Sequence, residues 1–108
     1  MSTADLYQRL QTDLRLAMAA RDRARTAVLR TAIATVDNSG AVAVESSSYQ
    51  VGFSEDVPRR QLDDDAIREL LAEEIDERQK AIDLYARLHQ SDHAERLRAE
   101  VAILTPYL

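Results

Sequence analysis

Apolar residues in the first third of the chain recur every three or four positions, which places them on one face of a helix. The first stripe comprises Leu6, Leu10, Leu14, Ala17 and Met18. The second stripe comprises Ala24, Val28, Ala32, Ile33 and Val36 and runs to about Asn38. Thr3 and Asp22 are expected N-caps, because their side-chain oxygens can accept from free amides of a first turn. The pattern predicts two helices, or one bent helix, since residues 19–21 are good helix formers.

A second pair of helices is predicted after residue 61. Asp63 is the expected N-cap of the third helix, where Asp64 and Asp65 suit the positive end of the helix dipole. Its apolar stripe comprises Ile67, Leu71, Ile75, Ile82 and Tyr85. Arg78 falls on this stripe, where an apolar residue would be expected. Ser91 is the expected cap of the fourth helix, whose stripe comprises Leu97, Val101, Leu104 and Leu108.

Residues 39–61 interrupt the helical pattern with serines, both glycines and residues that favour strands. A long connecting loop is the favoured interpretation, with a short hairpin of residues 41–44 and 49–53 as an alternative that is marginal on its own. A third interpretation is a loop that presents Tyr49 and Phe53 to a partner protein. The predicted fold is therefore all-α, with two helical pairs joined by a long central loop at about residues 39–61.

Composition narrows the class of protein. A chain of 108 residues allows a single domain, and it contains no cysteine, which excludes disulfides, thiol nucleophiles and cysteine-ligated metals. No run of about 18 apolar residues exists that would span a membrane. Asp5, Arg9 and Asp13 interrupt any apolar signal segment at the N-terminus. We therefore expect a cytoplasmic protein.

Charge is unevenly distributed, with a formal net charge of −5 for the whole chain. Residues 1–36 hold six arginines against three aspartates, whereas residues 37–77 hold twelve acidic residues against three arginines. The cluster Arg21, Arg23, Arg25 and Arg30 makes the first half basic and is a candidate for contacts with nucleic-acid phosphates. The favoured interpretation, however, is that these arginines pair with acidic residues of the third helix inside the bundle, which would make Arg25 and Arg30 structural.

Metal and catalytic sites have weaker support. The acidic run of the third helix comprises Glu69, Glu73, Glu74, Asp76 and Glu77 and predicts a solvated face in which Glu74 pairs with Arg78. His89 and His93 have the spacing of a helical metal pair, but the helix break expected at Ser91 separates them.

Nucleophilic catalysis is not supported either. Ser46, Ser47 and Ser48 have no strand–turn–helix elbow to orient an attacking hydroxyl. Gly40 and Gly52 lie too far apart in sequence to build a phosphate-binding loop. The sequence therefore predicts a protein that is not an enzyme and holds no metal or cofactor.

The order of several segments resembles the YqeY-like (GatB/YqeY) family. Residues 20–25 and 28–30 read ARDRAR and VLR, as in the second helix of that family, and residues 74–82 read EIDERQKAI, as in the third. Residues that match the closing helix are Tyr85, Asp92, Ala94, Glu95, Glu100, Leu104, Tyr107 and Leu108. The family usually has Gly-Arg where this chain has His89 and Gln90, and a shorter connection than residues 39–61.

The resemblance implies an all-helical domain related to a region of the GatB subunit of aspartyl/glutamyl-tRNA amidotransferase. It further implies a single domain over residues 1–108, without the small helical domain that usually follows. The expected function is a non-catalytic accessory protein linked to tRNA or to a tRNA-amidation protein. The alternative is a small protein–protein interaction module with no nucleic-acid contact, which binds another protein through residues 39–61. The chain is expected to be a monomer or a homodimer.

Overall fold

The computed structural model describes residues 5–48 and 62–108. Within these ranges the chain forms the helices α1 (Asp5–Ala19), α2 (Arg23–Ser48), α3 (Asp64–Arg87) and α4 (Ser91–Leu104), followed by a short 3₁₀ helix at Thr105–Tyr107. No strand occurs in the described residues, so the all-α prediction is confirmed. None of the described helices combines the length and the apolar character that crossing a membrane requires.

Helix α2 is ten residues longer than the sequence predicted, since it runs to Ser48 rather than to about Asn38. The alternative of a strand at residues 41–44 is therefore wrong, whereas the prediction of two helical pairs separated by a central segment is confirmed. Alanine is the best helix former, and one glycine costs a helix only about 1 kcal/mol, so the helix continues through Gly40. Tyr49 and Phe53 lie outside the described residues.

The helix boundaries confirm two of the predicted caps. The backbone N–H of Arg25 donates to Asp22 Oδ1 over 3.1 Å, and that of Ala66 donates to Asp63 Oδ1 over 2.8 Å. The prediction of Ser91 as a cap is wrong, because α4 already begins at this residue. The remaining predicted cap, Thr3, lies outside the described residues.

All four helices contribute to one hydrophobic core. Helix α1 packs against α2, and α3 packs against α4, which confirms the two helical pairs. The largest fully buried side chains are Leu10, Leu29, Ile67, Leu71 and Leu104. Because these five residues come from every helix, neither pair buries its apolar stripe without the other.

Arg78, on the apolar stripe of α3, belongs to a polar network that links α3 to α4 directly and to α2 through Glu74. Its Nε donates to Glu100 Oε1 of α4 over 2.9 Å, and its Nη1 lies 3.4 Å from Glu74 Oε1. Glu74 also accepts a hydrogen bond of 2.8 Å from Thr35 Oγ1 of α2. The predicted Glu74–Arg78 pair is therefore confirmed, while the bond to Glu100 could not be predicted because the two residues belong to different helices.

Tyr107 fastens the last residues of the chain to α1. Its ring is buried, its hydroxyl donates to the carboxylate of Asp13, and the guanidinium carbon of Arg9 lies 4.7 Å from the ring centroid. Arg9 also donates to the backbone carbonyl of Pro106 over 3.4 Å. Burial, and after it the hydrogen bond and negative charge of Asp13, raise the pKa of Tyr107 well above its usual value.

Candidate functional site

The chain turns from α1 into α2 through residues 20–22, which we call the elbow. The N–H of Arg21 donates to the carbonyl of Met18 over 3.1 Å, and that of Asp22 donates to Ala17 over 2.9 Å. This pair of bonds is a Schellman motif, whose left-handed residue is usually glycine. Here that residue is Arg21, with φ of 58°.

Three of the four candidate arginines surround one open hollow of about 540 Å³ beside the elbow. The hollow, which we call the basic hollow, is lined by Met18, Arg21, Arg23, Thr26, Ala27 and Arg30. Arg23 and Arg30 are seven residues apart and so lie on the same face of α2. Arg21 lines the hollow from the elbow. The three arginines of the basic hollow therefore come from two segments of the chain, the elbow and α2.

The arginines of the basic hollow are exposed and unneutralised. None of Arg21, Arg23 and Arg30 lies within ion-pair distance of a carboxylate in the part of the chain that the structure describes. Arg30 Nη2 makes one weak contact, with Met18 Sδ at 3.8 Å. The interpretation that these arginines pair with acidic residues of α3 is therefore wrong.

Arg25 is separated from the other three arginines. Its Nε lies 3.5 Å from Asp22 Oδ2, and the residue lines a different hollow, of about 300 Å³, together with Asp13 and Leu16. Helical geometry explains the separation, because two residues of α-helix rotate the side chain by about 200° from Arg23. Arg25 is thus a partner of the Asp22 cap and does not line the basic hollow.

The acidic residues of α3 are partly neutralised by bases on the same helix. Arg68 Nη1 lies 3.1 Å from Asp65 Oδ1, and Lys80 Nζ lies 3.1 Å from Asp76 Oδ2. Within the predicted acidic run, the salt-bridged face is confirmed at Asp76, which pairs with Lys80, and at Glu74, which pairs with Arg78. Among the described residues, no three His, Asp or Glu side chains form a group that could hold a metal ion.

His89 lies in the break between α3 and α4, and His93 lies in the first turn of α4. His93 stacks on Tyr85, with ring centroids 4.8 Å apart and an interplanar angle of 26°. His89 occupies the left-handed position that ends α3, with φ of 60°. The predicted helix break between the histidines is confirmed, so they do not share one helical face.

Sequence reasoning missed the other residues of the basic hollow. Thr26 and Ala27 share the α2 face of Arg23 and Arg30, and the three- and four-residue spacing is the signal that predicts them. The contribution of Met18 depends on how α1 packs against α2, for which the sequence contains no local signal.

These features define a class, that of small all-α proteins with an unneutralised basic hollow at a helix–helix elbow. Comparison with protein families identifies the family of the chain. The family model described as "Yqey-like protein" matches residues 7–108. The chain therefore belongs to the YqeY-like family. A comparison with curated proteins gives no match.

Proposed function

We propose that this YqeY-like protein is a non-catalytic accessory protein linked to tRNA or tRNA-dependent amidation, and that it binds tRNA through the basic hollow. The observation that carries the proposal is the placement of Arg21, Arg23 and Arg30 around one open hollow without carboxylate partners. A guanidinium group matches the geometry of a phosphate, and its charge is always present at neutral pH. Three such groups suit the phosphates of an RNA backbone.

The charge of the rest of the protein supports a localised contact. A net charge of −5 disfavours non-specific adhesion to a polyanion, so RNA is expected to bind only where the local charge is positive. Several acidic residues of α3 are already paired with Arg68, Arg78 or Lys80, which reduces their repulsion of an approaching phosphate. The basic hollow is thus the favoured site of contact.

A non-catalytic role is supported by the chemistry of the lining. The six residues around the basic hollow are three arginines, a threonine, an alanine and a methionine. The lining contains no His, Asp, Glu, Lys, Tyr or Cys, which are the residues that usually act as general acids or bases. It is suited to binding a phosphate and not to transferring a proton.

The direct test is a titration with total tRNA at ~50 and ~200 mM salt, because phosphate contacts release counterions and weaken steeply with salt. A triple variant in which Arg21, Arg23 and Arg30 are replaced by Gln is expected to lose most of the binding. The salt slope is expected to fall by roughly two to three units, since each of the three lost phosphate contacts removes about 0.7 to 0.9.

A matched control replaces Arg87, Arg96 and Arg98 by Gln, which removes the same charge from exposed positions on α3 and α4. This control is expected to retain most of the affinity. Equal losses in both triple variants would show that net charge, and not the basic hollow, determines binding.

A second candidate function is a protein-interaction module without nucleic-acid contact. Leu84 of α3 and Leu88, which caps the end of that helix, lie four residues apart and remain 47% and 54% exposed, so this pair is the candidate surface for another protein. If that protein is a second copy, sedimentation shows a dimer that Leu84→Glu with Leu88→Glu converts to a monomer. This function requires that tRNA does not bind at ~50 mM salt, where phosphate contacts are strong.

A further inference from the structure

Two residues other than glycine have a left-handed backbone among the described residues, and only one of them lines the basic hollow. Arg21 and His89 have φ angles of 58° and 60°. Both end a helix in the same way, since the N–H of His89 donates to Ala86 over 3.2 Å and that of Gln90 to Tyr85 over 2.9 Å. The chain thus contains two equivalent turns, one beside the basic hollow and one away from it.

Stability alone does not account for an arginine at the first of these turns. A side chain with a Cβ atom is disfavoured in the left-handed region, where glycine has no such penalty. Arg23, two residues later, adds a second positive charge beside Arg21, while the N-cap Asp22 supplies a carboxylate that complements the dipole of α2. The unfavourable left-handed conformation of Arg21 therefore lies at the basic hollow, and strained backbone of this kind is frequent at functional sites.

The turn also holds the Cα atom of Arg21 in a defined position. Hydrogen bonds on both sides of its Cα, from Arg21 to Met18 and from Asp22 to Ala17, hold the backbone in place. Arg23 and Arg30 line the hollow from α2, so Arg21 supplies the charge from the elbow. A phosphate in the hollow would then contact guanidinium groups from two segments instead of from one helix face.

We propose that Arg21 is a phosphate-binding residue whose left-handed turn places its guanidinium at the basic hollow, and that the protein keeps arginine there at the expense of stability. The proposal rests on the proposed function, since the phosphate belongs to the RNA backbone. It predicts that replacing Arg21 by glycine raises the stability of the protein and weakens its binding to RNA. A residue that served only to end α1 would affect stability alone.

The test is the variant Arg21→Gly, examined by thermal unfolding and by titration with tRNA. The melting temperature is expected to rise by about 2–6 °C, because glycine adopts the left-handed turn without a Cβ clash. Affinity for tRNA at ~50 mM salt is expected to fall roughly three- to tenfold, and the salt slope by about one unit, as for the loss of one phosphate contact.

Three further variants separate the effect of the backbone from the effect of the charge. His89→Gly makes the same backbone change at the equivalent turn, so it is expected to raise the melting temperature similarly and to leave affinity unchanged. Arg96→Gln removes one positive charge from an exposed position on α4 and is expected to change affinity less than about twofold. Arg21→Asn removes the charge with a residue that tolerates the left-handed region, and it is expected to weaken binding as Arg21→Gly does.

The outcomes distinguish this proposal from the function on which it rests. Wild-type protein that does not bind tRNA at ~50 mM salt, where electrostatic binding is strong, overturns both. Wild-type protein that binds, combined with an Arg21→Gly variant of equal affinity, overturns the role of Arg21 alone. A melting temperature that falls in Arg21→Gly overturns the claim that arginine is kept at the expense of stability.

Discussion

Tyr107 is the described residue whose pKa is most clearly changed by its surroundings. Its hydroxyl donates to Asp13, and Arg9 lies over its ring, so the end of the chain contacts two residues of α1 that are one helical turn apart. Burial and the nearby carboxylate both disfavour the phenolate form and raise the pKa of Tyr107. The folded protein therefore holds this proton more tightly than the unfolded chain, whose tyrosine pKa is about 10.

This difference predicts a loss of stability in alkaline solution. The contribution of protonated Tyr107 is fully present below about pH 10 and is lost as the pH rises from there toward the higher pKa of the folded state. Tyr107→Phe is expected to cost about 1–2 kcal/mol at pH 7 through the lost hydrogen bond, and to show a shallower decline above pH 10. Urea unfolding between pH 7 and about 11 measures both effects. Parallel alkaline declines in the two proteins would contradict the assignment.

Between elements, Arg78 is the most connected charged residue. Its side chain is only 17% exposed and links Glu74 on its own helix to Glu100 on α4, while Glu74 binds Thr35 on α2. Arg78→Met is expected to cost about 2–4 kcal/mol, because it leaves two partly buried carboxylates without their partner. Chemical denaturation of the variant measures this cost.

Two further variants test whether the loss of stability in Arg78→Met comes from the unpaired carboxylates. Adding Glu74→Gln and Glu100→Gln to Arg78→Met removes the uncompensated charge and is expected to recover most of the lost stability. Arg68→Gln breaks the exposed pair with Asp65 and is expected to cost less than about 0.5 kcal/mol. If Arg68→Gln were as damaging as Arg78→Met, burial would not explain the effect.

The sequence predicts helices well where apolar spacing is regular and poorly where local signals compete. The stripes through Leu6 and Leu10 and through Ile67 and Leu71 correctly predicted α1 and α3. The last ten residues of α2 were missed because residues 41–44 alternate alanine and valine, which suits a strand as well as a buried helix. The left-handed turn at Arg21 could not be predicted, since no glycine marks it.

For the molecule as a whole, the candidate site depends on how helices orient the charges that cluster in sequence. The basic region of residues 1–36 was evident from charge counts, but the structure brings only Arg21, Arg23 and Arg30 together and assigns Arg25 to Asp22. The helical period explains why Arg25 is separated, because Arg23 and Arg30 lie on one face of α2 and Arg25 lies on another. A prediction based on sequence therefore found the basic region but not which of its arginines share the hollow.

The decisive measurement is tRNA binding by the wild-type protein and by the two triple arginine variants at ~50 and ~200 mM salt, a range over which phosphate contacts weaken strongly. Binding by the wild type is expected to be salt-sensitive and to be retained in the variant of Arg87, Arg96 and Arg98. The variant of the basic hollow is expected to lose this binding while remaining folded. Absence of wild-type binding at the lower salt, or full binding by the folded hollow variant, would rule out the basic hollow as the RNA site.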